Sequence, residues 1–70
     1  MREVKITTEP VELYKILKFE GMVASGGEAK AVIAEGMVLV NGEIETRKRK
    51  KIINGDIIEF NNEAMQIRLK

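Results

Sequence analysis

Residues 25–51 read SGGEAKAVIAEGMVLVNGEIETRKRKK, and most of the fold follows from them. Ser25 followed three residues later by Glu28 is a capping box, in which a hydroxyl and a carboxylate serve amides left free at a helix start. Ala29, Val32 and Ile33 then fall at i, i+3 and i+4, the stripe of a helix with one buried face that runs to about Glu35 and stops at Gly36. Met37-Val38-Leu39-Val40 is β-rich, and Asn41-Gly42 predicts a type I′ hairpin with the return strand Glu43-Ile44-Glu45-Thr46.

Outward toward the N-terminus, Leu13, Ile16 and Leu17 make a second helical stripe. Thr8-Glu9-Pro10 looks like its start, with Thr8 or Glu9 as cap, and Gly21 like its left-handed stop. Before it, Val4 and Ile6 alternate with polar residues as in a half-buried strand. Toward the C-terminus, Asn54-Gly55-Asp56 predicts a turn, Ile57–Phe60 a strand and Asn61-Asn62 another turn. The last segment, where Met65, Ile67 and Leu69 alternate with Gln66, Arg68 and Lys70, has the pattern of a half-buried edge strand. The expected fold is α+β, with two short helices packed on one side of a small, mostly antiparallel sheet. Residues 1–70 are expected to form a single domain, with its motif core at about 12–60.

Composition narrows the function. A chain of 70 residues buries only about 60% of its unfolded surface, which is marginal but sufficient for one domain. It contains no Cys and no His, which excludes disulfides and thiolate metal sites and removes the commonest general base. Ser25 has no base to activate it and is explained as a cap. Gly26-Gly27 lacks the Walker Lys and the dinucleotide glycine spacing, and Asp56 stands where a turn favours Asp. An enzyme is therefore not expected, nor any cofactor or metal. No apolar run nears the roughly 20 residues that span a bilayer, and the N-terminus lacks the apolar core of a secretory signal. A cytoplasmic monomer is expected.

The charge is polarised. Arg47, Lys48, Arg49, Lys50 and Lys51 are consecutive, and the rest of the chain holds seven Lys or Arg against eleven Asp or Glu, a net of −4 beneath the overall +1. Consecutive cations repel one another. In a strand they would point to both faces, so a turn or exposed edge is their expected place. They form the candidate phosphate-contacting arm, with Lys15 and Lys18 on the first helix and Lys30 on the second as extensions of the patch. Tyr14 and Phe19 are the aromatics near these lysines. Each is either a stacking surface for an unpaired base or ordinary packing.

The order of these features resembles the ribosomal-protein-S-four-like RNA-binding domain, the alpha-L motif. Leu13 and Leu17, then Ser25, Glu28 and Ala29, then Ile33 and Gly36 carry the likeness, followed by Val38, Val40, Asn41 and Gly42 and finally Gly55-Asp56. The segment Glu45–Lys51 looks most like the small stand-alone bacterial members of the YbcJ/YaaA type. The resemblance implies two helices on a curved sheet that binds structured RNA such as rRNA or tRNA, often in connection with the ribosome. Two segments depart from it. Glu12-Leu13-Tyr14 stands where the family often has Arg-Leu-Asp, and Ser25-Gly26 where it often has Ser-Arg, so the expected contact surface moves toward Arg47–Lys51. The competing expectation is a protein–protein adaptor that docks an acidic partner on the basic arm.

Overall fold

Alternation along the strands places the core. The computed structural model describes residues 1–70. Strand β1 (Arg2–Ile6) is followed by a two-residue strand β2 (Val11–Glu12), helix α1 (Leu13–Phe19) and helix α2 (Gly26–Ala34). Then come β3 (Val38–Val40), β4 (Glu43–Ile44), β5 (Lys51–Ile52), β6 (Ile57–Phe60) and β7 (Glu63–Leu69). Five strands form one sheet in the order β1-β7-β6-β3-β4, while β2 and β5 pair separately. All pairings are antiparallel except β1 with β7.

The register sets Val4 beside Ile67, Met65 beside Ile58, and Ile58 and Phe60 beside Val40 and Val38. All seven are buried, so a single face of the sheet carries the apolar layer. Leu13, Ile16 and Leu17 of α1 and Ala29 and Ile33 of α2 complete the core, to which every one of the fifteen buried residues contributes an apolar side chain. The architecture is α+β, two helices on a mostly antiparallel mixed sheet, as the periodicities predict.

Both helices close with the same hydrogen-bonded pattern. The Gly21 amide donates to the Lys18 carbonyl and the Met22 amide to that of Leu17; Gly36 and Met37 donate in the same way to Ile33 and Val32. Each is a Schellman motif, with Gly21 at φ 71° and Gly36 at φ 78° supplying the left-handed residue. At the start of α2 the Glu28 amide donates to Ser25 Oγ at 3.1 Å, as the capping box requires. The reciprocal bond differs: the Glu28 carboxylate accepts from the Ala24 amide at 2.7 Å, one residue earlier than the motif predicts.

Three expectations are corrected. Helix α1 does not begin at Thr8-Glu9-Pro10 but at Leu13, after an N-cap Glu12 whose side chain makes no capping bond. Val11 and Glu12 are held extended because they pair with Ile52 and Lys51, nearly forty residues away. The last strand is not an edge: β7 lies between β6 and β1, and its half-buried pattern arises because only one face of the sheet is covered. The return strand of the Asn41-Gly42 hairpin covers Glu43 and Ile44 alone, with one further in-register bond from the Glu45 amide to the Val38 carbonyl.

Candidate nucleic-acid interface

A helix starts with amides that have no partner inside it. In α1 those amides are served from a distance. Leu13 N–H donates to the Lys50 carbonyl at 2.9 Å and Tyr14 N–H to the Lys48 carbonyl at 3.1 Å. The β4–β5 loop, which carries the basic run, thus lends two main-chain oxygens to the positive end of α1. A turn within the loop is closed by the Lys50 amide on the Arg47 carbonyl at 3.1 Å, and β5 anchors its far end beside β2. The loop backbone is bonded to the body of the protein while Arg47, Lys48, Arg49 and Lys51 remain exposed and Lys50 half-exposed. Arg47 to Lys50 therefore lie in the loop and its turn, while Lys51 opens the short strand β5.

The cations divide into three settings. Arg47 is engaged by Glu45: Nε donates to Oε2 at 2.9 Å, a terminal nitrogen donates to Oε1 at 3.1 Å, and the Arg47 amide donates to Oε2 at 3.0 Å. These bonds, side chain first and backbone second, hold the Glu45 carboxyl at about 2, well below the usual carboxylate range, and raise the Arg47 guanidinium. Lys48, Lys50 and Lys51 form no ion pair.

Arg49 belongs with the helices. Its guanidinium carbon lies 5.7 Å from the centre of the Tyr14 ring, Lys30 Nζ lies 4.7 Å from it and Lys15 Nζ 6.0 Å. The Glu12 carboxylate is 3.4 Å from Lys15 and 3.6 Å from Arg49. The same ring covers the start of α2, where a Cβ on Gly26 would meet it at 3.9 Å and Lys18 Cδ at 4.0 Å. Lys15, Lys30 and Arg49, predicted from three separate segments, thus gather about one aromatic side chain, while Lys18 lies beside Gly26 at the start of α2. Arg47 and Lys50 lie apart from this group, beside the Asn41-Gly42 hairpin. Lys51 and Lys15 line a groove between β1 and α1 together with Phe19, which is 71% exposed and not a core residue.

Sequence reasoning left two carboxylates out of the site. Glu45, two residues before Arg47, carries a local signal, because that spacing in a loop lets a carboxylate reach both the amide and the guanidinium. Glu12 carries none, since its bond to Arg49 depends on the β2–β5 pairing.

The turn residues have a separate part. Asn41 Nδ2 donates to Asp56 Oδ1 at 3.0 Å, Asn41 Oδ1 accepts from the Ile57 amide at 2.9 Å, and Asp56 Oδ2 accepts from the Ile53 amide at 2.9 Å. The Asn-Gly and Gly-Asp turns are one hydrogen-bonded unit.

Known proteins are similar to this chain in sequence and in fold. The chain is 49% identical over 57 residues to YbcJ of Escherichia coli (strain K12), a match that covers 81% of each protein. It is 39% identical over 57 residues to RlbA of Bacillus subtilis (strain 168), named "Probable ribosome maturation protein", covering 81% of this chain and 80% of that one. The solution structure of Escherichia coli YbcJ, described as revealing an alfaL motif involved in RNA-binding, superimposes with a TM-score of 0.74 at 43% identity over 97% of this chain and 87% of that one. The profile of the S4 domain, an RNA-binding rather than an enzymatic kind of domain, matches residues 4–68, and the chain belongs to the S4 domain family.

Proposed function

We propose that this protein is a non-catalytic RNA-binding module that grips the phosphate backbone of structured RNA, of rRNA or tRNA type, as a cytoplasmic monomer associated with the ribosome. Lys48, Arg49, Lys50 and Lys51 of the loop are the principal contacts, and Lys15, Lys18 and Lys30 extend them along the helices. Arg47 contributes when it exchanges Glu45 for a phosphate. The observation that carries this reading is the gathering of cations from α1, α2 and the loop around Tyr14. Two like charges about 6 Å apart in water repel by roughly 0.7 kcal/mol, so the fold itself does not gain from the concentrated charge, even though Tyr14 and Glu12 attract the individual side chains. A polyanion does. Structured RNA suits a surface of this kind because its deep major groove hides base edges and leaves backbone and shape to be read. The names of the relatives support the same direction.

The test is a salt-titrated binding assay with a structured RNA, a DNA duplex of equal length and a single strand. The structured RNA should bind tightest, with log K falling by about 0.7 to 0.9 per log unit of salt for each phosphate neutralised. Replacing Lys48, Arg49, Lys50 and Lys51 together with Gln should flatten that slope by about 3 in a variant whose circular dichroism is unchanged. Unchanged RNA affinity in the folded variant would refute the reading, and capture of an acidic protein that survives ribonuclease would replace it with an adaptor.

A further inference from the structure

We infer that Tyr14 is a positioning residue of this interface, one that arranges the cations for phosphate and does not itself stack on a base. The inference rests on the RNA-binding reading above and goes beyond it, because charge alone assigns the tyrosine no part. Tyr14 meets all three elements of the patch. Its amide donates to the Lys48 carbonyl, fixing the loop backbone, and its ring lies over Gly26 at the first turn of α2. Lys30, Arg49 and Lys15 sit within 6.0 Å of the ring centre. One aromatic thus takes a cation from the second helix, one from the loop and one from its own helix.

The physical need is plain. Lys and Arg side chains are long, and like charges drive them apart. Bringing them to a phosphate-ready arrangement at the moment of binding would cost side-chain entropy for each. The negative face of an aromatic ring attracts cations and gives them a common place before RNA arrives. The Glu12 carboxylate, 3.4 Å from Lys15 and 3.6 Å from Arg49, assists from the side. Its single charge is shared between two cations at long range, so a phosphate can displace it. A ring already attended by three cations is poorly available to a nucleobase, which separates this role from that of a stacking platform.

The test needs two arms. In the free protein, the ring current of Tyr14 should shift the Lys30 Hε protons upfield in the proton spectrum, and the shift should persist in Tyr14→Phe and vanish in Tyr14→Leu. In the salt-titrated assay with the structured RNA, Tyr14→Phe should bind like the parent. Tyr14→Leu should bind about 5–20-fold more weakly, the loss expected when two long cationic side chains must be ordered only at binding. Its salt slope should flatten by roughly one phosphate contact. The single strand should lose no more affinity than the structured RNA. Thermal melts monitor the fold of both variants. Parental RNA affinity and slope in a folded Tyr14→Leu variant would overturn the inference, as would a missing Lys30 shift in the parent protein, which requires no variant. A loss confined to the single strand would also overturn it, in favour of base stacking. A parent protein that shows the Lys30 shift yet binds none of the nucleic acids would instead refute the RNA reading and remove the positioning role with it.

Discussion

Replacing Asn41 tests whether the most recognisable part of this sequence is structural or reads RNA. Asn41 has φ 52° and its side chain makes two hydrogen bonds, one to Asp56 Oδ1 and one from the Ile57 amide. Asn41→Ala deletes both bonds, each worth about 1 kcal/mol net. It also puts alanine in a left-handed conformation, which costs about 1 kcal/mol more. Since the site is exposed, water recovers part of the loss, and the expected total is about 2–3 kcal/mol. For a domain of this size that is a fall in Tm of roughly 10–20 °C. Asn41→Gly loses the same bonds without the conformational term, so it should cost about 1–2 kcal/mol. Asp56→Ala breaks the shared bond and the one from the Ile53 amide. The Asn41→Ala/Asp56→Ala double variant should therefore cost about 1 kcal/mol less than the two single costs added together. Thermal and urea unfolding followed by circular dichroism give these numbers, and RNA affinity measured well below each Tm should match the parent. If Asn41→Ala weakens RNA binding while leaving stability within about 0.5 kcal/mol, the turn reads RNA and the reasoning fails.

Further predictions concern the loop and the core. Glu45→Gln should release Arg47 and add one phosphate contact, steepening the salt slope by about 0.7 to 0.9, whereas Arg47→Gln alone should matter less than Lys48→Gln. Because the Glu45 carboxyl is held at about 2, below its usual value of 4.5, the pairing contributes fully above that usual value and is lost as pH falls toward 2. Carboxyl chemical shifts should show this low titration, and RNA affinity should carry no step from it between pH 5 and 9. Ile52, fully buried in β5 at the end of the basic loop, should cost about 2–5 kcal/mol as Ile52→Ala, measured by urea unfolding.

What the sequence made legible was local. The stripes Leu13-Ile16-Leu17 and Ala29-Ile33, the Ser25 cap, the glycine stops and the Asn41-Gly42 turn all depend on residues within a few positions of one another. The start of α1 does not. Thr8-Glu9-Pro10 is an acceptable helix start by local chemistry, and only the pairing of Val11-Glu12 with Lys51-Ile52 holds those two residues extended, so that the helix begins at Leu13. The place of β7 was hidden for a similar reason. An edge strand and an interior strand of a one-sided sheet share the same alternation, and parallel pairing with β1 leaves no turn signal between them. At the site, the run of charge was plain, while its division into Arg47 with Glu45, Arg49 with Tyr14, and three unpaired lysines depends on contacts between elements.

That division follows from how the loop is attached. A helix usually draws its N-terminal cap from a nearby side chain, and α1 instead uses the Lys48 and Lys50 carbonyls, so the loop is held by atoms that every residue type possesses. The Lys48, Lys50 and Lys51 side chains, which form no ion pair, are then left free of that task, which is how consecutive cations can be carried at little cost to the fold. The same attachment sets what each cation does. Carbonyls 48 and 50 face inward to α1, Arg49 between them reaches Tyr14, and Arg47 ahead of them reaches Glu45. Charge on this surface is therefore adjustable without refolding. Substitutions among Lys48, Lys50 and Lys51 should tune RNA affinity, whereas changes at Glu45, Tyr14 or Glu12 should alter how the remaining charges are presented.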